Sequence, residues 1–241
     1  MWASLATAVL QLLVAAVLPE PLAEPVVEAT SPPEGATLAD LGKVFGYLRQ
    51  VRLRWLFAYG VALVTLEHVA FTLMQPWLVL VLERDLDDLG SAPVVAGVLF
   101  ASVSVVGAVA ARASEPARRR FGLVPALLGL AAVSAVVVTV MAATQAPGAL
   151  AVVALRSVQG AAAPGLLSAA IAPVIATRPR ATYLSLDSLG GRLGYGALLV
   201  AVSPLADDPV RTLTVLAGLS WLLVFGLLFT AGSAAVGHDA G

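Results

Sequence analysis

Six apolar runs dominate this chain, at about 54–82, 92–111, 121–143, 149–176, 182–205 and 210–232, with a shorter one at 2–18. About 20 apolar residues in helical form cross a hydrocarbon core about 30 Å thick. Each of the six runs is long enough, and the connections between them are short. Short connections set consecutive helices side by side and antiparallel. Composition closes off the soluble alternative. Hydrophobic residues make up 59% of the chain and charged residues 12%, where a soluble domain carries about 25% charged. So few polar groups cannot cover a water-facing surface. The expected fold class is all-α, a polytopic transmembrane helical bundle.

The segments around the bundle read differently. MWASLATAVLQLLVAAVLPEP has no basic start of the kind a signal peptide needs. Residues 1–19 are therefore expected to form an uncleaved first transmembrane helix. PEPLAEPVVEATSPPEGAT is rich in proline and glutamate and lacks periodicity, which marks a linker outside the hydrocarbon. LADLGKVFGYLRQVRLR has helical spacing, with its bases gathered towards the end. It reads as a short amphipathic helix along the interface. This divides the chain into the first helix, a cytoplasmic linker at 20–53, the six-helix bundle at 54–232 and a cytoplasmic tail at 233–241.

Orientation follows from the bases. One set of alternate loops holds ten: Lys43, Arg49, Arg52, Arg54, Arg112, Arg118, Arg119, Arg120, Arg178 and Arg180. The opposite set holds two, Arg84 and Arg211. Basic loops stay on the cytoplasmic side. The expectation is a multi-pass protein of the cell membrane whose first span enters from outside and whose C-terminus is cytoplasmic.

Charges at membrane depth are costly and are functional candidates by default. The second span carries Glu67 and His68 near its middle, with Gln75 two turns beyond Glu67. The fifth carries Arg156 and Gln159, three apart and on one face. The sixth carries Asp187 and Arg192. Glu67, His68, Gln75, Arg156, Gln159 and Arg192 are the candidates for a substrate or proton pathway. Two roles fit Glu67: a carboxylate lining a polar cavity and exchanging a proton, or one partner in a static ion pair. Arg156 and Arg192 both lie at depths that suit Glu67, and the sequence does not choose between them. Asp187 lies near the N-terminus of its helix, where the dipole favours an acid. It is a gating candidate with Arg118, Arg119 and Arg120, or else a helix-end anchor.

Small residues suggest how the helices meet. Gly190 and Gly194 are four apart, a spacing that permits close approach. Gly160 and Pro164 repeat the theme in the fifth span, and Pro164 removes one backbone hydrogen bond and is expected to bend it. Trp55 and Trp77 lie near opposite ends of the second span, as interfacial anchors do. Tyr59, Phe71 and Tyr195 lie deeper.

Several chemistries are excluded. Cysteine is absent, so disulfides, thiolate catalysis and cysteine metal sites are ruled out. A net charge of −1 offers no field for nucleic acid. HExxH, CxxC, nucleophile-elbow and phosphate-loop motifs are missing. Two distant histidines do not build a zinc site. No enzyme activity, catalytic residue, metal or cofactor is expected.

The order of motifs resembles the C-terminal half of a major facilitator superfamily transporter of the drug- or sugar-efflux type. EHVAFTLMQPWL is similar to that family's seventh helix. ARASEPARRRFG stands where its basic loop between helices eight and nine lies, here without the glycine and aspartate of the loop motif. ALRSVQGAAAPG resembles its arginine–glutamine–glycine pattern through Arg156, Gln159 and Gly160. RATYLSLDSLGGRLGYG resembles the start of helix eleven through Arg180, Ser185, Ser188 and Arg192. Residues 1–20 are similar to helix six. The resemblance implies secondary active transport by alternating access: efflux of a small molecule, by a truncated or split transporter, and the cavity role open to Glu67 would couple it to protons. The partners it implies are the lipid bilayer, a small-molecule substrate, and a second copy or a separate N-terminal half. The alternative is a non-transporting assembly subunit or an inactive remnant.

Overall fold

The computed structural model describes residues 38–85, 92–205 and 208–236. The expected first helix, the proline-rich linker up to residue 37, the turn at 86–91 and the last five residues lie outside the described residues. Among the described residues every regular element is helical. Helix α1 spans Leu38–Tyr47 and α2 spans Val51–Asp85. They are followed by α3 (Ala92–Phe121), α4 (Leu123–Ala143) and α5 (Ala149–Val153). A 3₁₀ turn at Ala154–Arg156 leads into α6 (Ser157–Ile171); then come α7 (Thr177–Val202) and α8 (Pro209–Val236).

Among the described residues five helical stretches are long and apolar enough to cross a membrane: Val51–Leu82, Val94–Phe121, Leu123–Ala143, Ala149–Ile171 and Pro209–Gly232. The chain is a multi-pass membrane protein on that measure. The sixth expected span, α7, has sufficient length at 26 residues. Its Arg178, Arg180, Asp187 and Arg192 set it apart from the other five in composition.

The helices bury faces rather than whole circumferences. On α4 the buried residues Leu127, Ala131, Ala135 and Val138 recur at helical spacing, the stripe expected of a helix packed on one side. The most extensive contacts join α4 to α8, α3 to α6 and α2 to α7. Taking α5 and α6 as one crossing, the first helix of the bundle pairs with the fifth, the second with the fourth and the third with the sixth.

Two buried clusters show how the ends alternate. One gathers Leu53, Leu56, Leu127, Ile171, Tyr183 and Leu227, the starts of α2, α4 and α7 with the ends of α6 and α8. The other gathers Trp77, Val81, Leu99, Met141, Val153, Val202 and Leu213, which are the opposite ends. Each helix therefore runs against its neighbours in sequence, α7 included. The ten-base set of loops falls at the end marked by Leu53 and Leu127.

Local chemistry explains the joints. Helices α3 and α4 are separated by Gly122 alone, at φ 87° and ψ 166°, a backbone region that is essentially glycine-only. Its amide still bonds the Arg118 carbonyl at 2.8 Å. The fifth expected span is interrupted at the 3₁₀ turn ending in Arg156, while α6 continues through Pro164. Buried Ala162, Ala163, Leu166 and Leu167 on both sides hold that stretch in place, so the missing amide does not end the helix.

Trp55 and Trp77 are not interfacial anchors. They are 4% and 0% exposed. Trp55 donates its indole N–H to the Leu227 carbonyl at 3.0 Å and Trp77 donates to the Thr144 carbonyl at 3.2 Å. A buried indole needs such an acceptor, and the bundle supplies it from within.

Candidate functional site

Glu67 lies near the middle of α2 and its carboxylate rests on Gly160 of α6. A Cβ added at Gly160 would overlap a Glu67 carboxylate oxygen and lie 2.8 Å from its carboxyl carbon. Glycine is thus what lets this acid reach the α6 backbone. Pro164, four residues on, has no amide to offer the Gly160 carbonyl.

Arg156 ends the 3₁₀ turn on the same side. It shares with Glu67 a cavity of ≈390 Å³ between α2, α3 and α6, lined also by Ser104, Gly107 and Ser157. A narrower slot joins both residues to Gln159, Gly160 and Ser134. The guanidinium carbon of Arg156 stands 5.3 Å from the centre of the Phe71 ring, and its Nε is buried without a hydrogen-bond partner. Glu67 and Arg156 face a common space without a direct ion pair between them among the described residues; Glu115, by contrast, pairs with Arg118 at 2.7 Å and Arg119 at 2.9 Å. Of the two arginines, Arg156 shares a cavity with Glu67 and Arg192 does not. Arg192 is exposed on α7 and lines a separate groove of ≈400 Å³ with Ser185 and Ser188.

Gln159 has a different setting. It is 2% exposed and ties three helices together. Ser134 Oγ of α4 donates to its Oε1, and its Nε2 donates to Tyr59 Oη of α2 at 3.5 Å. Tyr59 Oη in turn donates to the Leu127 carbonyl at 2.9 Å. Gln159 reaches the slot but mainly braces its wall. His68 is exposed and donates from Nδ1 to the Val64 carbonyl at 2.8 Å. Its ring lies 5.4 Å from that of Tyr195, whose hydroxyl bonds Thr72 Oγ1 at 2.6 Å. Gln75 is exposed on α2 and lines neither cavity.

The gating candidates are apart in this structure. Arg118 donates to Glu115 from Nε at 2.7 Å and from Nη2 at 2.8 Å, and Arg119 donates to it at 2.9 Å. Arg120 stacks 5.5 Å from the centre of the Phe121 ring. Asp187 instead places its carboxylate against Gly60 of α2, where a Cβ would overlap it, and its Oδ1 is buried without a partner.

The glycines of α7 meet α2 closely. A Cβ at Gly190 would come within 2.9 Å of Val61, and one at Gly194 within 2.7 Å of Thr65 Oγ1. Gly191, between them, faces Val64, and its carbonyl accepts from Thr65 Oγ1 at 3.1 Å. Gly60, Gly107, Ser134 and Tyr59 also shape the site. Their sequence signal is weak, because small and aromatic residues are common in any apolar helix.

Among the described residues no group of His, Cys, Asp or Glu side chains is arranged to hold a metal ion. No protein-family model matches the chain, and neither a curated protein nor a solved structure matches it.

Proposed function

We propose that this chain moves a small molecule across the cell membrane, as the C-terminal half of an efflux-type secondary transporter of the major facilitator kind. The observation that carries this reading is the meeting of Glu67 and Arg156 in one cavity of ≈390 Å³ at mid-helix depth. An acid and a base facing a shared space without a direct bond leave room for a substrate group or a proton to come between them. The helix pairing gives support. Exchanging the first three crossings with the last three maps the set of pairs onto itself, as an internal inverted repeat requires.

Glu67, His68, Gln75 and Arg192 are exposed on the chain alone. A single arginine at the bilayer centre costs about 2.5–3.5 kcal/mol on insertion scales. A second bundle, a further copy or a separate N-terminal half, covers these residues and completes the path. The basic loops and the C-terminus lie on the cytoplasmic side.

The test uses proteoliposomes holding the chain with its partner bundle, an imposed pH gradient and a panel of fluorescent organic compounds. Gradient-driven movement of at least one compound is expected, and Glu67→Gln abolishes it at unchanged protein level. Undiminished movement in the variant would remove the proton role. The same exposed polar residues also suit a subunit that only assembles with other membrane proteins. A defined complex in mild detergent that moves nothing across the panel would favour that reading.

A further inference from the structure

Another cavity, of ≈380 Å³, lies between α3, α4 and α6, and its lining includes Ala110, Ala117, Phe121, Gly129 and Leu166. Apart from the Ser114 hydroxyl, its side chains are apolar. Phe121 and Gly129 are exposed at its opening. From Ala110 to Phe121 the α3 wall is about 16 Å long at the helical rise. One leaflet of hydrocarbon is about 15 Å deep, half of the bilayer core.

Charge at one end makes the groove selective. Helix α3 finishes with Arg118, Arg119 and Arg120 next to Phe121. Glu115 is the one acid on α3, and Arg118 and Arg119 already occupy it. Neither α4 nor α6 contains an acid. Arg120 has its guanidinium over the Phe121 ring, and that ring lines the cavity. Among the described residues, then, a cation without a carboxylate partner stands at the mouth of a slot one leaflet deep.

We propose that this groove binds an anionic phospholipid of the bilayer, with one acyl chain in the slot and the phosphate of the headgroup on Arg120. The site needs the membrane but not transport, and Glu67→Gln leaves it intact.

The full chain is delipidated in detergent, titrated with phosphatidylglycerol or phosphatidylcholine, and read by native mass spectrometry. Phosphatidylglycerol is expected to be retained in preference. Arg120→Gln weakens its retention about fivefold, the worth of one arginine near a charged surface, and leaves phosphatidylcholine unchanged. Gly129→Leu enters space with no atom within 4 Å of a Cβ; it fills the slot and lowers retention of both lipids. Equal retention of the two lipids by the native chain would overturn the proposal, as would indifference to Arg120→Gln. Full displacement by inorganic phosphate would also sink it, because the acyl chain would then contribute nothing. Arg120 is an exposed position, so its variant decides the matter if Gly129→Leu fails to fold.

Discussion

Gly160 owes its place to Glu67. The carboxylate fills the volume a methyl group would take, so Gly160→Ala pushes the acid off the α6 backbone. The carboxylate is the far end of a flexible, exposed side chain and can swing aside, so the cost to stability is small beside that of overpacking a buried core. Gly165 lies on the same helix with nothing within 4 Å of a Cβ. There alanine gains up to about 1 kcal/mol from helix propensity. Thermal unfolding of both variants in one detergent should show a gain for Gly165→Ala and a smaller gain or none for Gly160→Ala, and equal gains would refute the contact. Glu67 could be read from the sequence because a charge in an apolar run is conspicuous. Its neighbour could not, since choosing Arg156 over Arg192 depends on the rotation of α6 and α7 about their own axes. The tryptophans misled for a related reason. Position along a span suggests depth, but says nothing about whether the ring faces lipid or protein.

Helices α2 and α7 meet through a seam of glycines. Spacing alone pointed to Gly190 and Gly194, and both are pressed against α2. Gly191 is pressed as hard and fell outside the four-residue pattern, because the seam is broader than one stripe. Gly191→Ala should force the helices apart and lower thermal stability by about 1–3 kcal/mol. Gly196→Ala, with nothing within 4 Å of its Cβ, should not destabilise. Similar losses for the two would mean that helix bending, rather than close approach, sets the need for glycine. The fifth crossing carries a comparable lesson. Pro164 was the visible breaker, yet the irregular turn lies at Ala154–Arg156, where no residue type announces it.

For the molecule as a whole, the order and alternation of the helices were legible in the apolar runs and their short connections. The lateral pairing was not, since neighbours in space are not neighbours in sequence. The helix ends make a testable claim: Arg119 and Arg211 belong to opposite faces of the membrane. The chain has no cysteine, so Arg119→Cys and Arg211→Cys each offer a single thiol. An impermeant maleimide added to intact cells should modify the second and spare the first. Modification of both would contradict the alternation of ends, α7 included. One joint also limits how such a bundle can rearrange. With Gly122 alone between them, α3 and α4 have no slack and travel together like the arms of a clasp. Any give has to come from longer links such as 144–148, at the far end of α4.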